Sequence, residues 1–296
     1  MLKNLIRESL YRIGYEINLS PVGHVKLNKQ IAFIHIAKCG GISVDSALRR
    51  LLAQPQQPRL CRTTSIAASV ATYKGLMDSI DDTCDFSEHH LKILKGILDH
   101  FLTLNHQYIS GHWPVDSTLI ESFSHKTDFI TLLRDPVSRF KSNYIFNKLS
   151  NPLSIMKPNN LKTDDLIAEA REIIFGRRGW QMANTQTAYI VGQYPKNVDD
   201  CQNLQEQFLL NIKKFKLVGF LEDITNFESQ FKSIYGMKLQ VREKNKTSSQ
   251  QKADGKSIIS ILNNYLSEPN VEKHIREMSR FERENVEKAK EWHFDK

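Results

Sequence analysis

The sequence predicts an α/β protein in which a central, mostly parallel sheet is flanked by helices and the C-terminus is helical. Short apolar stretches rich in β-branched residues, at 31–36, 107–110, 129–133 and 216–220, indicate buried strands. Stretches with helical periodicity separate these strands. No internal repeat or change of composition marks a boundary, so residues 1–296 are predicted to form a single domain.

The chain carries an excess of positive charge. Its 296 residues include 41 Lys and Arg against 33 Asp and Glu, which gives a formal net charge of +8. Such an excess raises the local concentration of anions and speeds their arrival. Nucleic acid, an acidic membrane surface, a phosphorylated nucleotide and an acidic glycan all fit, and the charge alone does not choose among them.

Cysteine spacing and hydropathy indicate the cellular compartment in which the protein resides. Cys39, Cys61, Cys84 and Cys201 lie far apart and form no C-x-x-C pair, which argues against a zinc ribbon or a disulfide framework and is typical of a reducing compartment. The chain has no apolar run of about eighteen residues, and its N-terminus lacks the apolar core of a secretory signal. We therefore predict a cytoplasmic protein.

Both ends of the chain are expected to be helical around a catalytic core at 25–247. Residues 1–18 have apolar side chains at helical spacing and Lys or Arg among the other positions, which predicts an amphipathic helix. This helix either packs on the body of the protein or makes peripheral contact with an anionic membrane. Residues 256–292 are predicted to form two charged helices.

The stretch HIAKCGGIS at 35–43 predicts an anion-binding loop. It connects a strand to a helix, the unit with which α/β proteins hold phosphates. Gly40 and Gly41 let the backbone approach a ligand, Lys38 can reach a charged oxygen, and Ser43 offers a hydroxyl in the first helical turn. A Walker A loop has its lysine after the glycines, whereas Lys38 precedes them.

A second candidate site follows the strand at 129–133. Arg134 stands at the strand end, Pro136 opens a helix, and Ser142 lies on that helix eight residues after Arg134. This spacing allows the two side chains to grip one phosphate, for which the fork of an arginine is well suited. Arg139 and Lys141 on the same helix are expected on its solvated face.

His112 is the candidate general base. It follows a short strand in the turn SGHWP at 110–114, and such strand ends are where α/β proteins collect catalytic groups. Neutral imidazole is a good base near neutral pH. His35 lies within a predicted buried strand and is expected to be a core residue.

The stretch at 34–43 resembles the I-P-K-T-G-G-T-S loop of carbohydrate sulfotransferases that use 3′-phosphoadenosine 5′-phosphosulfate (PAPS), with Ala37, Cys39 and Ile42 as departures. LRDPVSRFKSNY at 133–144 resembles their L-R-D-P-x-x-R-F-x-S-x-Y motif, and GHWP their G-H-[FW]-P element. The resemblance implies a P-loop NTPase-like sulfotransferase fold, PAPS as donor and no metal. It implies His112 as base and Lys38 as a second catalytic residue. The residues implied in donor binding are Lys38, Cys39, Gly40, Gly41, Ile42, Ser43, Arg134 and Ser142.

Weaker matches at 184–192, 218–222 and 245–247 extend this resemblance. Residues 54–106 and 149–178 do not match and are expected to shape the choice of acceptor. We expect that acceptor to be a hydroxyl of an acidic glycan or polysaccharide, as in polysaccharide biosynthesis, and we expect no nucleic acid. Two other readings stay open, a P-loop-type nucleotide kinase and a non-enzymatic basic module that binds glycan or nucleic acid.

Overall fold

The computed structural model describes residues 9–13, 23, 25–54, 59–104, 106–150, 162–242 and 253–294. Within these ranges the chain forms one four-stranded sheet and a set of surrounding helices. The strands are β1 (Gln30–Ile34), β2 (Tyr108–Gly111), β3 (Thr127–Leu133) and β4 (Leu217–Phe220). The predicted α/β class is confirmed.

All pairs in this sheet are parallel, and the strand order is β2-β1-β3-β4. The register places Ile34 opposite both Gly111 and Thr131, and Leu133 opposite Phe220. The carboxyl ends of all four strands therefore meet at one edge. β1 ends at Ile34 rather than at the predicted Ile36, so His35 stands at the start of the following loop, with its N–H still bonded to Gly111 O at 3.0 Å.

Helices cover both faces of the sheet. The first seven are α1 (Gly41–Leu52), α2 (Arg62–Thr72), α3 (Asp82–Thr103), α4 (Ser117–Phe123), α5 (Pro136–Ser150), α6 (Thr163–Phe175) and α7 (Arg177–Ala183). The others are α8 (Thr185–Val191), α9 (Val198–Ile212), α10 (Ile224–Tyr235), α11 (Ala253–Leu266), α12 (Pro269–Met278) and α13 (Arg280–Phe294). The C-terminal segment thus forms three helices, not two, since Pro269 begins a separate one.

Alternate residues of β1 point to opposite faces of the sheet, as strand geometry requires. Ala32 and Ile34 pack with α3, α8 and α9, while Ile31 and Phe33 pack with α1 and α10. A further apolar cluster joins α5, α6, α7, α11 and α12 beside the sheet. The carboxyl edge of the sheet is thus fixed between packed layers, which gives the loops at that edge a rigid base.

The structure describes only part of the predicted N-terminal helix. Residues 9–12 are helical, and the side chains of Tyr11 and Ile13 are exposed. The rest of the predicted helix at 1–18 lies outside the described residues, as does the loop at 245–247. Within the described ranges, no helix is both long enough and apolar enough to span a bilayer. Membrane contact and a cytoplasmic location stay predictions.

Candidate functional site

A cavity of about 1440 Å³ opens at the carboxyl edge of the sheet. Residues that follow three neighbouring strands line it: Lys38 after β1, His112 after β2 and Arg134 after β3. The other predicted site residues on its wall are Gly40, Ile42, Ser43 and Ser142. Segments that are distant in the sequence therefore meet in one concave site, as is usual for parallel sheets.

The loop before α1 has a left-handed backbone at two positions, Lys38 (φ 68°) and Gly40 (φ 76°). A Cβ atom on Gly40 would lie 2.4 Å from Leu221 Cδ1, and one on Gly41 would lie 2.1 Å from the His35 ring. Glycine is therefore required at both positions. α1 begins at Gly41, and the first N–H groups of a helix have no partner within it, so this end of α1 suits an anion.

Cys39 is turned away from the cavity. Its buried thiol donates to Gln186 Oε1 at 3.4 Å, and its backbone N–H donates to Ile36 O at 3.4 Å. Burial raises the pKa of this thiol to about 12. Both donors of Cys39 are thus engaged within the protein, and its contact with the donor stays a prediction. The direction of the Cys39 side chain depends on a glutamine on α8, which the loop sequence does not reveal.

Lys38 and Arg134 belong to one structural unit. Arg134 Nη1 donates a hydrogen bond of 2.9 Å to the backbone carbonyl of Lys38, and Lys38 Nζ lies 4.4 Å from the centre of the Phe146 ring. Burial, with a smaller contribution from the Arg134 charge, lowers the pKa of Lys38 below its usual value. Two like charges held at one cavity wall favour an anion there.

α5 begins with a defined cap. Asp135 Oδ1 accepts the Ser138 N–H at 2.8 Å, and the Asp135 N–H donates to Glu222 at 2.9 Å. This cap directs Ser138 and Ser142 toward the cavity that Arg134 also lines. The start of α5 therefore adds hydroxyl and guanidinium groups to the same wall.

Arg139 is not on a solvated face. It is fully buried, where it lies 3.6 Å from Glu282 of α13 and donates to the carbonyl of Met182. Lys141 is partly exposed, lines the cavity and pairs with Glu272 of α12 at 2.6 Å. The prediction was wrong for Arg139 because α13 packs over α5, and no pattern within α5 indicates this distant partner.

His112 is held in one tautomer. Its Nδ1 lies 2.7 Å from the carbonyl oxygen of His35, and since a carbonyl only accepts, Nδ1 carries the proton. The Nε2 atom then keeps its lone pair, as a general base requires. Burial lowers the pKa of His112, which favours the neutral form. The His35 ring packs on it at 4.1 Å between centroids.

Several cavity residues were not anticipated from the sequence. Arg49 on α1 pairs with Asp45 at 2.9 Å, and the Tyr108 hydroxyl donates to Asp45 at 2.7 Å. Arg62, the first residue of α2 in the unmatched region, lies 5.7 Å from the Phe146 ring. Asp45 and Arg49 carry the i, i+4 spacing of a helical ion pair, a signal that could have found them. The described part of the chain contains no cluster of three potential metal ligands.

Comparison with known proteins finds remote relatives. No family model matches the chain. It is 24% identical over 204 residues to a protein named uronyl 2-sulfotransferase from Mus musculus, a match that covers 66% of this chain and 45% of that protein. The Homo sapiens uronyl 2-sulfotransferase is 23% identical over the same length. The chain spans less than half the length of these curated relatives. Its similarity to these sulfotransferases is distant.

Proposed function

We propose that this protein is a sulfotransferase that moves a sulfuryl group from PAPS to a hydroxyl of a carbohydrate. The observation that carries the proposal is the hydrogen bond between Arg134 and the Lys38 carbonyl. It joins the stretch that resembles a phosphosulfate loop to the stretch that resembles a 3′-phosphate motif. The distant likeness to the uronyl 2-sulfotransferases supports the same class.

The residues at the cavity fit a doubly anionic nucleotide. Gly40, Ile42 and Ser43 line the cavity where α1 begins, so the N-terminal end of this helix faces the space that the 5′ phosphosulfate would occupy. Arg134 and Ser142, which also line the cavity, would hold the 3′-phosphate. The β1 strand, its loop and α1 are in keeping with the P-loop NTPase-like arrangement expected from the sequence.

The chemistry divides between two side chains. When bound, PAPS supplies the sulfuryl group, and the bond between its sulfur and the bridging phosphate oxygen is the one that breaks. His112 Nε2 takes the proton of the acceptor hydroxyl as its oxygen bonds to sulfur, since Nδ1 is already protonated. Lys38 stabilises the negative charge that develops on the bridging oxygen of the departing 3′-phosphoadenosine 5′-phosphate.

The acceptor side favours an acidic glycan. Arg59, Arg62 and Arg178 also line the cavity, and none of them belongs to the donor motifs. Arg59 and Arg62 lie at the start of the region that has no counterpart in the donor motifs, and α2 and α3 form the adjoining wall. A polysaccharide bearing carboxylate or sulfate groups suits this lining, because exposed cations attract such groups.

Thermal shift separates this proposal from its rivals. We expect 3′-phosphoadenosine 5′-phosphate to raise the melting temperature and ATP to have a smaller effect. Stabilisation by ATP alone favours a nucleotide kinase, and no response to either nucleotide favours a binding module. Incubation with radiolabelled PAPS and a panel of acidic and neutral glycans then identifies the acceptor class, and transfer to none of them contradicts the carbohydrate acceptor.

A further inference from the structure

Gln186 on α8 contacts both halves of the candidate donor site from beneath. Its side chain is fully buried. Oε1 accepts the Arg134 N–H at 2.9 Å and the Cys39 thiol at 3.4 Å. Nε2 donates to the Arg134 carbonyl at 2.9 Å and to Glu282 at 3.2 Å. One amide therefore touches the phosphate loop and the strand end that carries Arg134.

The polarity of these contacts fixes the orientation of the amide. Arg134 presents an N–H and a carbonyl to the same side chain, so the amide oxygen must face the first and the amide nitrogen the second. Both protons of Nε2 and two lone pairs of Oε1 are then used. Rotation of the amide would place donor against donor at the Arg134 N–H and acceptor against acceptor at the Arg134 carbonyl, which makes this arrangement unique.

Gln186 also substitutes for a missing strand neighbour. β3 ends at Leu133, so the backbone of Arg134 has left the sheet ladder at a buried point in the fold. Buried backbone groups require partners, and Gln186 supplies one for the N–H and one for the carbonyl. Arg134 is thereby held in register with the loop that its guanidinium reaches at Lys38.

We propose that Gln186 is a positioning residue that sets the distance between Arg134 and the phosphate loop, and thereby selects nucleotides with a 3′-phosphate. This inference rests on the proposed function. Gln186 does not line the cavity, so it acts through Arg134 and not on the ligand. Its loss lets the Arg134 backbone shift, which weakens the grip on the 3′-phosphate while the loop still binds the 5′ end.

The test compares the affinities of Gln186→Met for 3′-phosphoadenosine 5′-phosphate and for adenosine 5′-phosphate by calorimetry. We expect the first affinity to fall about tenfold and the second to change less than about threefold, in keeping with the loss of one or two net hydrogen bonds. Where Gln186→Met does not fold, Gln186→Asn serves in its place with the same expected direction, because it keeps a neutral amide but its side chain is one methylene shorter.

A matched control is Asn211→Leu. Asn211 is a buried amide on α9 that donates to the Ile190 carbonyl at 2.8 Å, at the far end of the same helix α8. This variant should lower the melting temperature while it leaves the ratio of the two nucleotide affinities unchanged. If the ratio of the two nucleotide affinities were the same in the Gln186 and Asn211 variants, Gln186 would have only a structural role and the proposal would be overturned.

A double variant adds a second check. If Gln186 acts through Arg134, then in an Arg134→Ala background the Gln186→Met change should leave the affinity ratio where Arg134→Ala alone puts it. Additive losses contradict the proposal. Failure of the wild-type chain to prefer the 3′-phosphorylated nucleotide is a different result, because it rejects the proposed function itself whatever the Gln186 variants do.

Discussion

The guanidinium of Arg134 donates a hydrogen bond of 2.9 Å to the backbone carbonyl of Lys38. The contact spans the gap between the ends of β1 and β3, which are adjacent and parallel in the sheet. The Lys38 backbone that it contacts has a left-handed conformation, with φ 68°. The two cationic groups are consequently set at a fixed spacing on one wall of the cavity.

Arg134→Ala should weaken binding of 3′-phosphoadenosine 5′-phosphate by about 10- to 100-fold, because a charge-assisted contact to the 3′-phosphate is lost. Adenosine 5′-phosphate should bind nearly as before. Calorimetry measures both. Arg177→Ala is the matched control, since Arg177 pairs with Asp85 at 2.6 Å and does not line the cavity. Equal losses for the two nucleotides would place the 3′-phosphate elsewhere.

Lys38→Ala should lower turnover by about 10²- to 10³-fold, the usual effect of removing a donor aimed at developing charge. Steady-state transfer from PAPS measures it, and Lys38→Arg should recover part of the rate. Lys29→Ala serves as the comparison, because Lys29 bonds to the Ser124 carbonyl outside the cavity. Near-normal turnover of Lys38→Ala contradicts the role given to this lysine.

His112→Ala should retain nucleotide binding and lose transfer by about 10²- to 10⁴-fold, as expected for removal of a general base. Single-turnover transfer and calorimetry on the same sample separate the two effects. His125→Ala, a change at an exposed histidine, should leave both unaltered. A His112 variant with an unchanged rate would direct attention to His35, whose ring packs on His112.

The dependence of kcat/KM on pH should reflect the environment of His112. Burial lowers its pKa, so the neutral, basic form persists to lower pH than for a free histidine. The acid limb of the profile should therefore have its midpoint below about 6.5, the unperturbed value. A midpoint above that value means that the limb belongs to another group or that His112 is not the base. In His112→Ala this limb should disappear.

The cysteines should differ in reactivity. Cys61 is exposed, and hydrogen bonds from Thr64 lower its pKa, whereas burial raises the pKa of Cys39 to about 12. Because the thiolate is the nucleophile, iodoacetamide should label Cys61 first and leave Cys39 unlabelled until the protein unfolds. Peptide mass spectrometry after timed labelling checks this. Early labelling of Cys39 would show that its hydrogen bond to Gln186 is broken in the folded protein.

Much of the architecture was predictable because it depends on local patterns. The four strands could be placed from short β-branched runs, and parallel pairing brings their carboxyl ends together, so Lys38, His112 and Arg134 were expected near one another.

The helices α7 to α9 were not anticipated. Every residue of α8 is buried, so it has no polar face and no amphipathic period to detect.

The environment of the charged residue Arg139 on α5 could not be predicted from the sequence either. Arg139 was assigned to solvent because long charged side chains are rarely buried. It is fully buried beside Glu282, a residue of the last helix. Partners so distant in the chain leave no trace in the local sequence of either element.

The amino-acid sequence determined the α/β class, the strands, the glycine loop and the residue types at the strand ends, because each depends on periodicity or on backbone conformation within a few positions. Only the tertiary structure decided that Cys39 faces the core, that Arg134 contacts Lys38 and that Gln186 supports both segments. Those relations join residues far apart in the chain, and packing alone sets their distances.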